Sequence, residues 1–182
     1  MNVHEFTFLV SGVDPHAEDF ADRFFEAGCD DATLMLTHGL VAVNFAREGE
    51  NFSQAVLSAF RDILKTGATI ERFEPDFLVS KAEIARRASL SRAAISLYVS
   101  GERGVNFPAP KARITSNSPL WDWVEVSSWL HRHEHPSLDV VLAARVSRVV
   151  NTFVFRNREH MRVPEKSLFR HMEDMSRELE PA

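Results

Sequence analysis

The stretch from Ser80 to Gly101, SKAEIARRASLSRAAISLYVSG, decides how the middle of this 182-residue chain folds. Ser80 is followed three residues later by Glu83, and this capping-box pattern predicts the start of a helix. Ser91 repeats the N-cap signal in the middle of an alanine-rich segment. Because a single helix needs no second cap, the stretch predicts two helices that meet at a tight turn around Leu90.

Apolar spacing predicts how the two helices pack. Ile84, Ala85 and Ala88 form the inner face of the first helix, and Ile95 and Tyr98 form that of the second. This is the spacing of a helix-turn-helix, which leaves the first turns of its second helix free to enter the DNA major groove. The alternative interpretation is an ordinary helical hairpin in a globular core.

The outward residues at the start of the second helix are the predicted base contacts: Ser91, Arg92, Ala93 and Ser96. Arginine pairs with guanine edges or a phosphate, whereas serine and alanine contact polar groups or a thymine methyl. Lys81, Arg86 and Arg87 on the first helix are predicted phosphate contacts.

The downstream segment, NFPAPKARITSNSPLWDWVEVSSWL, runs from Asn106 to Leu130. Its Phe-Pro-x-Pro start predicts an extended lead-in. A short hairpin follows, with one arm at Lys111–Thr115, a turn at Asn117–Pro119 and a second arm at Trp121–Trp123. A helix is then predicted to carry Val126, Trp129 and Leu130 inward.

The span from Leu78 to Leu130 resembles the winged helix-turn-helix of the MerR superfamily, in particular its short AlpA/excisionase-type branch. The matching motifs are Ser91-Arg92, Phe107-Pro108-Ala109-Pro110, and Trp121 through Val126 to Trp129-Leu130. The resemblance implies a DNA-binding function. It also implies a wing along the DNA backbone or minor groove, with Lys111 and Arg113 as phosphate contacts.

Two features depart from that family pattern. Five residues, Glu102–Asn106, separate Gly101 from Phe107, where the family usually has a residue or two. Asp122 follows Trp121, where the family often has arginine. The first alters the path from recognition helix to wing, and the second removes an expected phosphate contact.

The N-terminal segment shows the order β-α-β-β-α-β. Its predicted elements are EFTFLVSG, a helix from Asp14-Pro15 to Gly28, DATLMLT and LVAVNFA joined by His38-Gly39, a helix capped by Ser53, and ATIERFE ending at Pro75. This order predicts a four-stranded antiparallel sheet with both helices on one face, the ferredoxin-like arrangement. The predicted fold class is α+β, with an acidic ferredoxin-like domain at 1–76, a winged helix-turn-helix domain at 77–134 and C-terminal helices at 135–182.

The charge is unevenly distributed along the chain. Residues 1–78 hold five Lys and Arg against 14 Asp and Glu, a net of −9, although the whole chain is only −5. Residues 79–134 hold eight basic against five acidic residues, a net of +3. The first segment should therefore repel nucleic acid and the second can approach it. The HGLVAVNF segment supplies the glycine and the final phenylalanine of the RNA-recognition pattern, but it has aliphatic residues where the base-stacking rings should be.

Two surfaces suggest association with a partner. The outer face of the predicted sheet is mixed in polarity, which predicts cover by a partner subunit or by the rest of the chain; its residues are Thr7, Leu9, Thr33, Met35, Ala42 and Asn44. Two C-terminal apolar seams are predicted, with Leu138, Leu142, Val146, Val149, Phe153, Val141, Val150 and Phe155 on the first helix, and Leu168, Met172, Met175 and Leu179 on the second. They cover their own monomer or form a dimer, and we favour a homodimer with recognition helices roughly 34 Å apart.

The remaining clusters of titratable residues do not predict a metal site or a catalytic site. HRHEH at His131–His135 admits a zinc site but fits solvated histidines at a helix end better, so we predict no metal and no cofactor. His16, Asp14, Asp30 and Asp31 are explained by helix caps and surface charge. Cys29 is expected to be a small apolar filler. No signal-peptide pattern or membrane-length apolar run occurs in the sequence, which predicts a cytoplasmic setting without membrane contact.

These observations predict a non-enzymatic, sequence-specific transcriptional regulator that binds double-stranded DNA as a homodimer. The acidic domain would supply regulation or association, through a protein partner or a small effector. The alternative is a protein-binding module, such as a DNA-binding antitoxin or a recombination accessory factor whose acidic domain holds a basic partner.

Overall fold

A computed structural model of the chain describes residues 2–133, 136–157 and 170. The fold class is α+β, as predicted. The chain divides into two compact units, which are Met1–Pro75 with Val149–Ala182, and Asp76–Arg148. Of the segment predicted as C-terminal helices, 135–182, the described residues 136–157 are divided between the two units after Arg148.

The first unit contains a four-stranded antiparallel sheet. Its elements are β1 Asn2–Ser11, α1 Phe20–Glu26, β2 Ala32–Thr37, β3 Leu40–Gly49, α2 Phe52–Lys65 and β4 Thr69–Glu74. The strands lie in the order β2-β3-β1-β4, and every neighbouring pair is antiparallel. Phe6, Phe8 and Val10 of β1 are buried while their neighbours are not, which confirms the predicted alternation. His38 and Gly39 both have positive φ angles, 47° and 79°, and form the predicted two-residue hairpin turn.

The starts of both helices in this unit differ from the prediction. Asp14 does not begin α1; its side chain accepts a hydrogen bond from the backbone N–H of His16 at 2.9 Å, which closes a local turn instead. The helix starts at Phe20; within it Phe24 is buried and Phe25 is 66% exposed. Asn51, not Ser53, caps α2 by accepting from the backbone N–H of Gln54.

The outer face of the sheet is partly exposed. Thr33 and Met35 are exposed, Thr7, Leu9 and Asn44 are half-buried, and Ala42 is buried. Thr7 donates a hydrogen bond to the Asn44 side chain at 2.8 Å, so part of this face is joined across strands.

A buried arginine joins three elements of the first unit. Arg47 on β3 donates to both carboxylate oxygens of Asp31 at 2.8 Å and to Asp62 of α2 at 2.6 Å. It also donates to the carbonyl of Gly28 at 2.6 Å. Burial disfavours the charged guanidinium, but hydrogen bonds to the two carboxylates more than offset this and raise the pKa of Arg47. Cys29 is buried beside this cluster, and burial raises the pKa of its thiol to about 12.

Asn151 closes one edge of the sheet. β4 is an edge strand, and the Asn151 side chain accepts from the backbone N–H of Phe73 and donates to its carbonyl, both at 2.9 Å. The amide thus takes the place of a neighbouring strand at that residue.

The second unit is mainly helical. Its elements are β5 Leu78–Val79, α3 Lys81–Arg87, α4 Arg92–Ser100, β6 Trp121–Asp122, α5 Trp123–His131 and the first part of α6, Leu138–Asn157. β5 and β6 form a short antiparallel pair. The core is built on Val79, Ile84, Ile95, the three tryptophans, Val126 and Leu130, and α6 adds Ala144 to it.

The predicted seam of α6 is buried in part. Val141, Val146 and Val150 are buried, as predicted, and Leu142, Val149 and Phe153 are half-buried, whereas Leu138 is 47% exposed and Phe155 is 78% exposed. Ala144 and Val154 are also buried. The second predicted seam, from Leu168 to Leu179, lies outside the described residues. None of the described helices combines the length and the apolar character that a membrane span requires.

Candidate nucleic-acid interface

The predicted serine caps and the turn between α3 and α4 are confirmed. Ser80 accepts from the backbone N–H of Glu83 at 3.2 Å, and Ser91 accepts from that of Ala94 at 3.1 Å. Ser89 takes a left-handed conformation, with φ of 54°, and this reverses the chain sharply between the helices. Leu90 packs partly buried against the core.

The two helices pack through the residues that the spacing predicted. Ile84 and Ile95 are fully buried, and Ala85, Ala88 and Tyr98 are at most 9% exposed. The small alanines of α3 allow α4 to approach closely. The inward face of α4 is therefore buried in the core of the second unit.

The outward face of α4 is open to solvent. All four predicted base contacts are exposed: Ser91, Arg92, Ala93 and Ser96. Leu97 is 38% exposed and extends the same surface. The Ser91 oxygen is engaged in the cap, but its hydroxyl hydrogen can still be donated to a ligand.

Two of the three basic residues of α3 are at the surface. Lys81 is exposed, and the side chain of Arg86 is 71% exposed with a long 3.7 Å ion pair to Glu83. Both can contact a phosphate with little loss of existing interactions.

Arg87, the third, is a structural residue and we withdraw it from the predicted phosphate contacts. Its side chain is only 11% exposed, and it donates to the Asp76 carbonyl and to the Glu83 carboxylate, both at 2.7 Å. The guanidinium also lies 5.8 Å from the centre of the Trp123 ring, and its Nε is buried with no hydrogen-bond partner among the described residues. Reaching a phosphate would break all of these contacts.

The predicted wing is a small flap rather than a regular hairpin. A single bridge joins Ala112 to Leu120, and Lys111 also donates its backbone N–H to Leu120 at 2.7 Å. The intervening loop from Arg113 to Ser118 is exposed, with Arg113 at a positive φ of 52°. The second predicted arm ends early, because Trp123 begins α5. Lys111 forms a 2.9 Å ion pair with Glu125 and is half-exposed.

Indole hydrogen bonds fix the path between α4 and the flap. Trp121 donates to the carbonyl of Pro108 at 3.1 Å, and Trp129 donates to that of Val105 at 3.0 Å. Phe107 stacks parallel to Tyr98, with ring centres 6.0 Å apart. These contacts hold the extended lead-in against the core.

The five residues between Gly101 and Phe107 pack on the core residue Trp129. Gly104 has a φ of 73°, and a Cβ there would lie 2.9 Å from the Trp129 ring. Arg103 donates its backbone N–H to Leu97 at 3.0 Å and places its guanidinium over Tyr98. The insertion is therefore a packed part of the unit.

Asp122 has a structural role that the sequence analysis missed. It caps α5 by accepting from the backbone N–H of Val124 at 2.8 Å, and its other oxygen binds Arg148 at 3.1 Å. An aspartate directly before a predicted helix is itself an N-cap signal, so the cap was open to prediction. The contact between Asp122 and Arg148 could not be predicted, because Arg148 is distant in sequence.

The histidines at the end of α5 bind backbone carbonyls. The Nδ1 atom of His131 lies 2.8 Å from the carbonyl of Pro136, and that of His133 lies 2.8 Å from the carbonyl of Trp129. His135 lies outside the described residues. Across the part of the chain that the structure describes, no three His, Cys, Asp or Glu side chains are grouped as a metal site would require.

The second unit presents exposed cations on α3, on the flap and at the start of α4, whose outward edge is otherwise uncharged. The exposed cations are Lys81, Arg86, Arg92, Lys111 and Arg113. Such a set can bind a polyanion, and α4 offers side chains that can read base edges. Comparisons of the chain with protein-family models, with curated proteins and with solved structures found no match.

Proposed function

We propose that the chain is a sequence-specific, DNA-binding transcriptional regulator whose second unit is a winged helix-turn-helix. The observation that carries the proposal is the two-sided character of α4. Ile95 and Tyr98 fasten it to the core, while Arg92, Ala93 and Ser96 remain exposed at its start. A helix held in this way can enter a major groove without rearranging its own domain.

The other elements support the same proposal. The tight turn at Ser89 and the pairing of β5 with β6 match the winged helix-turn-helix that the MerR-like motifs imply. Lys81 and Arg86 would bind phosphates beside the groove, and Lys111 and Arg113 would bind them from the flap. Because Lys111 is paired with Glu125, a phosphate would have to compete with that carboxylate.

The first unit would supply regulation or association, through a protein partner or a small effector. The strand order β2-β3-β1-β4 supports a ferredoxin-like domain, and the net charge of −9 over residues 1–78 disfavours a role in binding DNA. We infer that it joins two copies into a homodimer, which would let the two recognition helices read two half-sites.

The test is the affinity of matched variants for a selected operator. Genomic fragments bound by the purified full chain would supply the operator. Arg92→Ala should then weaken operator binding by about 1–3 kcal/mol, because a paired base edge loses its donor. Arg145→Ala is the control, since Arg145 is also exposed but lies on α6. Equal affinities for the two variants would show that α4 does not read the operator.

The acidic surface favours a second candidate function, a protein-binding module such as a DNA-binding antitoxin or a recombination accessory factor. A basic partner protein would complement the −9 charge of residues 1–78. Capture of one stoichiometric basic protein by the full chain would favour this candidate over the first, and capture of no such protein would favour the first.

A further inference from the structure

The two edge strands of the four-stranded sheet differ in what pairs with their outer backbone groups. The β4 edge is closed by the Asn151 amide, which pairs with both backbone groups of Phe73. The β2 edge has no such cover: within residues 2–133 and 136–157, β2 pairs with β3 alone.

β2 also lacks the features that usually protect an edge strand. Its six residues, ATLMLT, contain no charge and no proline. Met35 is 54% exposed and Leu36 is 55% exposed. Edge strands normally carry charges, prolines or bulges, because an uncharged open edge recruits another strand.

The hairpin turn shows which backbone groups are available. Thr37 and Leu40 flank the two-residue turn and are therefore a hydrogen-bonded pair. Hydrogen-bonded and non-hydrogen-bonded residue pairs alternate along an antiparallel ladder, so the backbone of Met35 also bonds to β3. The N–H and C=O groups of Leu34 and Leu36 must then point away from the sheet.

We propose that a second copy of this chain pairs with β2 along this open edge, antiparallel and centred on Met35. In this register the backbone of Leu34 bonds to that of Leu36 in the other copy, and the reverse pair follows by symmetry. Met35 faces its own counterpart, and Thr33 faces Thr37. The two sheets become one continuous sheet.

The strand is suited to its own copy in particular. No like charges oppose each other within the paired stretch. The strand has an acidic start, Asp30-Asp31, and a histidine at its end, His38. Antiparallel pairing places the histidine end of each copy beside the acidic end of the other, and it buries the exposed side chain of Leu36. The inference rests on the homodimer proposed above and not on the contacts to DNA.

Disulfide trapping with single cysteines tests the register. Met35→Cys places two thiols on the two-fold axis, with Cα atoms about 4.5 Å apart, which is within bridging range. Thr33→Cys is the matched control: it is exposed on the same face, but its two copies would be about 13 Å apart along the strands. Cys29 is buried with a raised pKa and should stay reduced.

Under mild oxidation the full-length Met35→Cys chain should form a covalent dimer and Thr33→Cys should not. A mixture of Thr33→Cys and Thr37→Cys chains should give a crosslinked heterodimer. Equal crosslinking of Met35→Cys and Thr33→Cys, or none by Met35→Cys, would overturn the proposed register.

Charge variants at the axis provide a second test that does not depend on oxidation. Met35→Lys and Met35→Glu should each sediment as a folded monomer, because like charges meet at the axis, and an equimolar mixture should sediment as a dimer. If Met35→Lys sediments with the mass of the wild-type dimer, the proposed interface is wrong. A wild-type chain that is itself monomeric would overturn both the interface and the homodimer, whereas DNA binding is tested separately by Arg92→Ala.

Discussion

At the scale of single residues, charge alone does not reveal what a basic side chain does. Arg86 and Arg87 are adjacent on α3, yet Arg86 is at the surface and Arg87 holds Asp76 and Glu83 in place. The sequence could not separate the two, because the carbonyl of Asp76 and the ring of Trp123 reach Arg87 only after folding. The same limit applies to Arg47, whose partners Asp31 and Asp62 are brought together by the fold.

Arg87→Ala should therefore lower the free energy of unfolding by about 1–3 kcal/mol, since it leaves the Asp76 carbonyl without its donor. Arg86→Ala should change it by no more than about 0.5 kcal/mol, because that side chain is exposed. Denaturant titrations of both variants would measure this difference. A loss of DNA affinity by Arg87→Ala with unchanged stability would contradict the structural role.

At the scale of elements, local signals were sufficient wherever a helix or strand is determined by its own residues. The serine caps of α3 and α4, the alternation in β1 and the turn at His38-Gly39 were all predicted. The start of α1 was not, because Asp14 can cap a helix or close a local turn, and the structure shows the turn. The insertion after Gly101 carries no periodic signal, so its packing on Trp129 was also not predictable.

Gly104 tests whether that insertion is a fixed part of the domain. Gly104→Ala should destabilise the chain by about 1–3 kcal/mol more than Gly101→Ala, because its Cβ would press on the Trp129 ring. Gly101 is the matched control: its φ of 77° is similar, but nothing lies within 4 Å of an added Cβ. Thermal or denaturant unfolding of the two variants would measure the difference. Equal stability would show that the insertion moves freely away from the tryptophan.

At the scale of the whole molecule, the separation of charge predicts different tasks for the two parts of the sequence. The −9 of residues 1–78 and the +3 of residues 79–134 indicate that nucleic acid would approach the second unit. This division of tasks follows from composition alone and stays a prediction. Composition could not identify β2 as an edge strand that pairs with β3 alone within the described residues, because this depends on the strand order of the folded sheet.

The salt dependence of DNA affinity tests whether the flap contacts phosphates. Lys111→Ala should weaken binding to all duplexes alike and reduce the slope of log affinity against log salt by about one, because one phosphate contact is lost. Glu125→Gln should have the opposite effect on affinity, since it releases Lys111 from its ion pair. Fluorescence anisotropy across a salt series would measure both. An unchanged slope for Lys111→Ala would remove the flap from the interface.

Guanine N7 methylation interference on the selected operator, with wild-type and Arg92→Ala chains compared, tests directly whether α4 reads the DNA major groove. N7 faces the major groove and is an acceptor for arginine. If α4 reads the groove through Arg92, methylation of one guanine in each half-site should block the wild-type chain, and Arg92→Ala should lose sensitivity at that guanine alone. Identical interference patterns for the two chains would contradict the account.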